Sequence, residues 1–164
     1  MKNVLGALIL GLAVSSSFAE GLGISAVVYA KRFNDLAKEL HTPMRLQLKG
    51  GKVMEEVKGM SVRLDVDALT SVVLGYGTDR TKVSNVTLLR GVRSDTARSV
   101  DSITSMTLTT MAAFEHPLEA GVLDVTMKLC GSAMKKEGSN FKEKVLDKEI
   151  GCAMIGGVIV LSVY

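Results

Sequence analysis

Tryptophan is absent from this chain of 164 residues, and aromatic residues make up only 4% of it. Stacking platforms for bases or sugars are therefore poorly supplied. The formal charge is +3, with no dense basic run, so nucleic acid is not an expected partner. Histidine occurs twice, as His41 and His116, without HxH or HxxxH spacing. Zinc needs three or four ligands, and no metal site is expected. Each histidine stands near a predicted helix end before a proline, where it reads as a C-terminal cap. The motifs GxSxG, GxGxxG and GxxxxGK[ST] are missing, as is the acid-and-glycine order of a calcium loop. With no CxxC motif either, redox chemistry has little support, and the expectation is a protein that is not an enzyme and carries no cofactor.

Long apolar runs are also lacking. A bilayer-spanning helix needs about 20 apolar residues, and no run here reaches that. A membrane barrel needs repeated alternating segments of about ten residues, which are not seen. An integral membrane protein is therefore not expected.

What the chain does contain begins with an address. Met1-Lys2-Asn3 is a positive start, Val4 to Val14 is apolar, and Ser15-Ser16-Ser17-Phe18-Ala19 offers small residues to a peptidase. This is the three-part layout of a secretory signal peptide. Cleavage after Ala19 would leave residues 20–164 as a single domain in the periplasm or outside the cell. At 47% hydrophobic, the chain has enough apolar material for a packed core.

Periodicity suggests the elements. Tyr29, Phe33, Leu36, Ala37 and Leu40 recur at helical spacing within Ile24 to His41, before Pro43. Met44 to Leu48 alternates strictly. Lys52 to Lys58 fits either a short strand or a helical turn. Met60 to Asp67 is the cleanest strand, with Met60, Val62, Leu64 and Val66 on one face. Ser71 to Gly77 and Lys82 to Arg90 follow as strands after short polar turns. The third has an ambiguous register, with Val83 and Leu89 on one face and Val86 and Leu88 on the other, which fits either burial on both sides at its end or a bulge.

A helical period runs from Thr96 to Phe114 through Val100, Ile103, Thr107, Met111 and Phe114. A second begins near Pro117 through Leu118, Val122, Val125, Leu129 and Ala133. Asn140 to Lys148 is mixed. Glu149 to Ile155 and Val158 to Tyr164 flank Gly156-Gly157, a hairpin signal. The expected fold is α+β: an antiparallel β-meander with about three helices packed on one face and a C-terminal hairpin.

Four groups of residues carry the functional expectations. Cys130 and Cys152 are an even pair in an exported chain and should form a disulfide. Arg63, Asp65 and Asp67 share the wet face of a strand; with Asp79 and Arg80 in the next turn they make a candidate interaction face. Met106, Met111, Met127 and Met134 would line an apolar groove between helices and sheet, although ordinary core packing explains them as well. Asn85-Val86-Thr87 matches the glycosylation pattern but lies inside a strand, so no modification is expected. The favoured function is a protein-interaction module, such as an inhibitor, immunity or accessory protein, with another envelope or secreted protein as partner. The alternative is a carrier of a small apolar ligand.

Overall fold

The computed structural model describes residues 21–56, 59–92, 96–118 and 121–164. Among them are three helices and one antiparallel sheet of seven strands in the order β1-β2-β3-β4-β7-β6-β5.

Helix α1 spans Ala26–Glu39. The Ser25 side chain caps its start by accepting from the Val28 amide at 3.3 Å. Tyr29, Phe33 and Ala37, each four residues apart, are buried on one face. His41 takes a left-handed φ of 52° and sets its Nδ1 2.9 Å from the Glu39 carbonyl oxygen, capping the helix as its sequence position suggests.

The alternation from Met44 to Leu48 is real, with Met44 and Leu46 buried and Arg45 and Gln47 exposed. It does not belong to the sheet. Asn34 of α1 takes the place of a neighbouring strand: its Oδ1 accepts from the Leu46 amide at 2.8 Å, and its Nδ2 donates to the Leu46 carbonyl at 3.0 Å.

Four strands then form a meander: β1 (Lys52–Glu56), β2 (Gly59–Asp65), β3 (Thr70–Tyr76) and β4 (Val83–Gly91). Lys52–Glu56 is thus strand, not helix. The register of β4 is resolved by an irregularity. Asn85 pairs with Gly75, but Val83 pairs with Tyr76, so Ser84 is an extra residue. Val83, Val86 and Leu88 then all reach the main core. Leu89 points to the other face, where it joins Val73 and Val160 in a smaller apolar cluster. At the same irregularity, a Cβ on Gly75 would come within 2.6 Å of the Asn85 amide group, so Asn85 would have to move to admit one.

Helix α2 (Thr96–Ala112) packs on β4 and β7, and α1 packs on α2. Of the face that periodicity suggests, Thr107 and Phe114 are buried and Met111 is half-buried, but Val100 and Ile103 are exposed, and Ser105, Met106, Thr109 and Thr110 are buried beside it. Small hydroxyl residues can line this contact because their own helix satisfies several of them: Ser105 donates to the Ser102 carbonyl at 2.9 Å and Thr110 to that of Met106 at 2.8 Å. Pro117 and Leu118 lie in a turn, not in the next helix. Gly121, with φ 64°, makes the entry, and α3 spans Val122–Lys135. This helix lies over the second group of strands.

That group is β5 (Asn140–Val145), β6 (Lys148–Ile155) and β7 (Val158–Val163). Asn140–Val145 is a full edge strand, so the predicted C-terminal hairpin is part of a three-stranded meander. Exposed Lys142 and Lys144 mark that edge. Gly156 and Gly157, with φ of 57° and 75°, supply the two-residue turn before β7. Strand β7 pairs with β4 from Val86↔Val163 to Gly91↔Val158, which joins the two meanders into one sheet.

The sulfurs of Cys130 in α3 and Cys152 in β6 are 2.08 Å apart, at disulfide distance. Both residues are completely buried. No helix among the described residues is long and apolar enough to cross a membrane.

Candidate binding sites at the end of the sheet

The ladder between β1 and β2 ends at the Lys52↔Arg63 pair. Gly50, with φ 90°, and Gly51 turn the preceding chain away at that point. The edge of β2 from Leu64 onward therefore borders a cleft of about 440 Å3 in place of a neighbouring strand. Its far wall is the extended segment after α1, which contributes Arg45, Gln47 and Lys49. The alternation of that segment decides which side chains it offers: buried Met44 and Leu46 hold it down, and Arg45, Gln47 and Lys49 project outward.

Four cations, Arg45, Lys49, Lys52 and Arg63, line this cleft against one carboxylate, Asp65. Arg45 is fixed by its own backbone, with Nη1 donating to the carbonyls of Thr42 at 2.7 Å and Met44 at 2.6 Å. Arg63 donates from Nε to Asp65 at 3.1 Å and from Nη2 to the Ser71 hydroxyl at 2.8 Å, and that hydroxyl donates to Asp65 at 2.7 Å. The Ser71 hydrogen bond, helped by the charges of Arg63 and Lys52, holds the Asp65 carboxyl below the usual carboxylate range. Asp65 is thus ionised and engaged, and the cleft keeps an excess of positive charge.

A second cavity, of about 490 Å3, shares Pro43 and Val66 with the first and lies on the helix side of the sheet. Arg90, at the end of β4, forms part of its wall and is only 2% exposed. Its Nη1 donates to Asp67 at 2.8 Å and to the Thr70 hydroxyl, which in turn donates to Asp67 at 2.8 Å. Burial raises the Asp67 pKa. The Leu69 amide at 2.7 Å, the Thr70 hydroxyl and the Arg90 guanidinium outweigh that and leave it lowered. Asp101 of α2 lies 3.9 Å from Arg90 Nη2.

The candidate interaction face read from the strand pattern is divided. Arg63 and Asp65 come together. Asp67 does not continue that face: it sits in the turn after β2 and bonds Arg90. Asp79 closes the turn after β3 by accepting from the Thr81 hydroxyl at 2.6 Å and the Thr81 amide at 2.9 Å, which together hold its carboxyl low. Asp79 and Arg80 therefore lie a strand length, about 20 Å, from Asp67.

The four methionines of the expected groove, Met106, Met111, Met127 and Met134, line neither cavity. Met106 is in the main core, Met111 and Met127 are half-buried, and Met134 is exposed. Arg90 and the cations of residues 45–52 were not singled out from sequence. Arg90 had a signal: with Leu88 facing the core, a residue two further along the strand must face it too.

Comparisons with family models, curated proteins and solved structures match the chain to none of them.

Proposed function

We propose that the chain is an exported binding module, without catalysis, that holds an acidic segment of another envelope or secreted protein in the cleft beside β2. The observation that carries this reading is the gathering of Arg45, Lys49, Lys52 and Arg63 around one cavity with Asp65 as its single carboxylate. Like charges placed together repel in the free protein, and an acidic partner relieves that repulsion and is steered toward it. Beyond Arg63 only Leu64 and Asp65 of β2 lack a β1 partner, enough to align the end of an extended acidic segment while the cations supply the attraction. The leader-like N-terminus and the buried cysteine pair support export to an oxidising compartment.

A titration of residues 20–164 with hexaglutamate, followed by calorimetry, tests the reading. Affinity should fall steeply with added salt. Arg45→Glu combined with Lys49→Glu should weaken binding at least tenfold with little change in Tm, because both side chains are exposed. Equal binding by hexalysine, or undiminished binding by the double variant, would sink it.

The second reading, a carrier of a small apolar ligand between helices and sheet, is favoured by the cavity at Arg90 and not by the methionines.

A further inference from the structure

We propose that the acidic partner is held in the cleft as an added β-strand, its main chain paired with that of Arg45 and Gln47. This deepens the cleft reading and rests on it. Charge brings an acidic segment in, and the backbone of the segment after α1 selects one that is an extended polypeptide.

In an extended chain the N–H and C=O of one residue point to one edge, and those of the next residue to the other. Residues 44–48 are extended, as their alternation of buried and exposed side chains shows. Asn34 of α1 takes both backbone groups of Leu46. Those of Arg45 and Gln47 therefore point to the opposite edge. No residue of α1 lines the cleft, whereas Arg45 and Gln47 do, so the cleft lies on that opposite edge. The backbone N–H and C=O of Arg45 and Gln47 have no hydrogen-bond partner among the described residues. Backbone polar groups without protein partners stand in water, and both residues are exposed, so a ligand can reach them.

The result is a short strand edge ready for a partner. Buried Met44 and Leu46 and the Asn34 bonds hold it in place beforehand, so little chain entropy is lost on pairing. Charge decides which strand is added. Side chains directly opposite one another in a strand pair share a face, so the added strand lies alongside Arg45 and Lys49. A second copy of this segment would set cation against cation, and an acidic strand sets anion against cation. Lys52 and Arg63 in the same cleft add to that preference.

Amide hydrogen exchange on residues 20–164, followed by nitrogen-15 correlation spectroscopy, reads the pairing directly. The Arg45 and Gln47 amides should exchange rapidly in the free protein and at least tenfold more slowly with saturating hexaglutamate. Leu46, already bonded to Asn34, should be slow in both states. Hexaglutamate N-methylated at every peptide bond keeps its charge but lacks peptide N–H donors, and should bind at least tenfold more weakly. Gln47→Pro removes one N–H at an exposed, extended position that suits proline, and should weaken hexaglutamate at least threefold. Unchanged exchange at Arg45 and Gln47 with hexaglutamate bound, or full affinity of the methylated peptide or of Gln47→Pro, would overturn the proposal and leave a cleft that reads charge alone. Protection of these amides in the free protein that grows with its concentration would put a second copy on the edge and overturn it as well. If hexaglutamate does not bind the unsubstituted protein, the cleft reading falls and this inference falls with it.

Discussion

Asp67 links the stability of the molecule to pH. Its folded pKa lies below the ordinary 3.8, since three donors outweigh the cost of burial. A carboxylate with a depressed pKa contributes stability in full above its ordinary value and loses it as pH falls through the lowered one. Asp67→Asn should therefore destabilise the protein near neutral pH by about 2 kcal/mol. That is less than for a fully buried ion pair, because Asp67 keeps contact with water. Urea denaturation should show the gap between variant and parent closing in acid, where the parent is protonated too; a gap that persists there would count against the assignment. At this scale the sequence was partly legible. Asp65 and Arg63 could be paired from a spacing of two on one strand face. Asp67 continues the same spacing and still turns away, because the strand ends at Asp65 and the turn, not the pleat, sets its direction. Arg45 and Lys49 share the outward face of one alternating segment, but the Gly50-Gly51 turn separates them from Lys52, so no single periodic pattern joins all three.

Among the elements, the segment after α1 depends most on a single side chain. Leu46 is 2% exposed, and Asn34 satisfies both its backbone groups. Asn34→Ala leaves a buried amide and carbonyl with neither bond. It should cost about 2 kcal/mol, and limited proteolysis should then cut between residues 43 and 50 well before the parent is cut. Equal resistance would show that the side-chain bonds are dispensable. Strict alternation at 44–48 correctly reported which residues are buried, and it could not report what pairs with the backbone. The same distinction holds in α2. The periodic face there held Val100 and Ile103 beside Thr107 and Phe114; the first two are exposed, and the contact is completed by Met106, Leu108 and small serine and threonine side chains, of which Ser105 and Thr110 bond within the helix. In β4 the two-sided apolar pattern was a true sign of an extra residue, but placing it at Ser84 required the facing strand.

At the scale of the whole molecule, two antiparallel meanders meet along β4 and β7, and both candidate sites lie at one end of the first. The α+β class and the sheet with its helices on one face follow from the order and period of segments, and the joined cysteines from their even count behind a leader-like start. The position of β7 in the middle of the sheet does not, since a hairpin at the end of a chain gives no sign of which other strand it will join. The cysteine pair fixes α3 to β6 across the core. The export proposal predicts a mature protein that begins at Glu20, and the buried cysteine pair predicts that thiol reagents react only after reduction and unfolding. Replacing both cysteines by alanine should lower unfolding free energy by about 3 kcal/mol in the chain-entropy treatment, measurable by denaturant titration; a smaller loss would mean that the core alone holds the helix to the sheet. The central place of β7 also sets a timetable. During synthesis β4 is complete long before Val158–Val163 exists, so its inner border stays without a partner while both later helices and two more strands are added. The slowest contacts to close are thus those at the middle of the sheet, and a nascent chain halted anywhere before β7 presents a bare strand to whatever chaperone or neighbouring chain reaches it first.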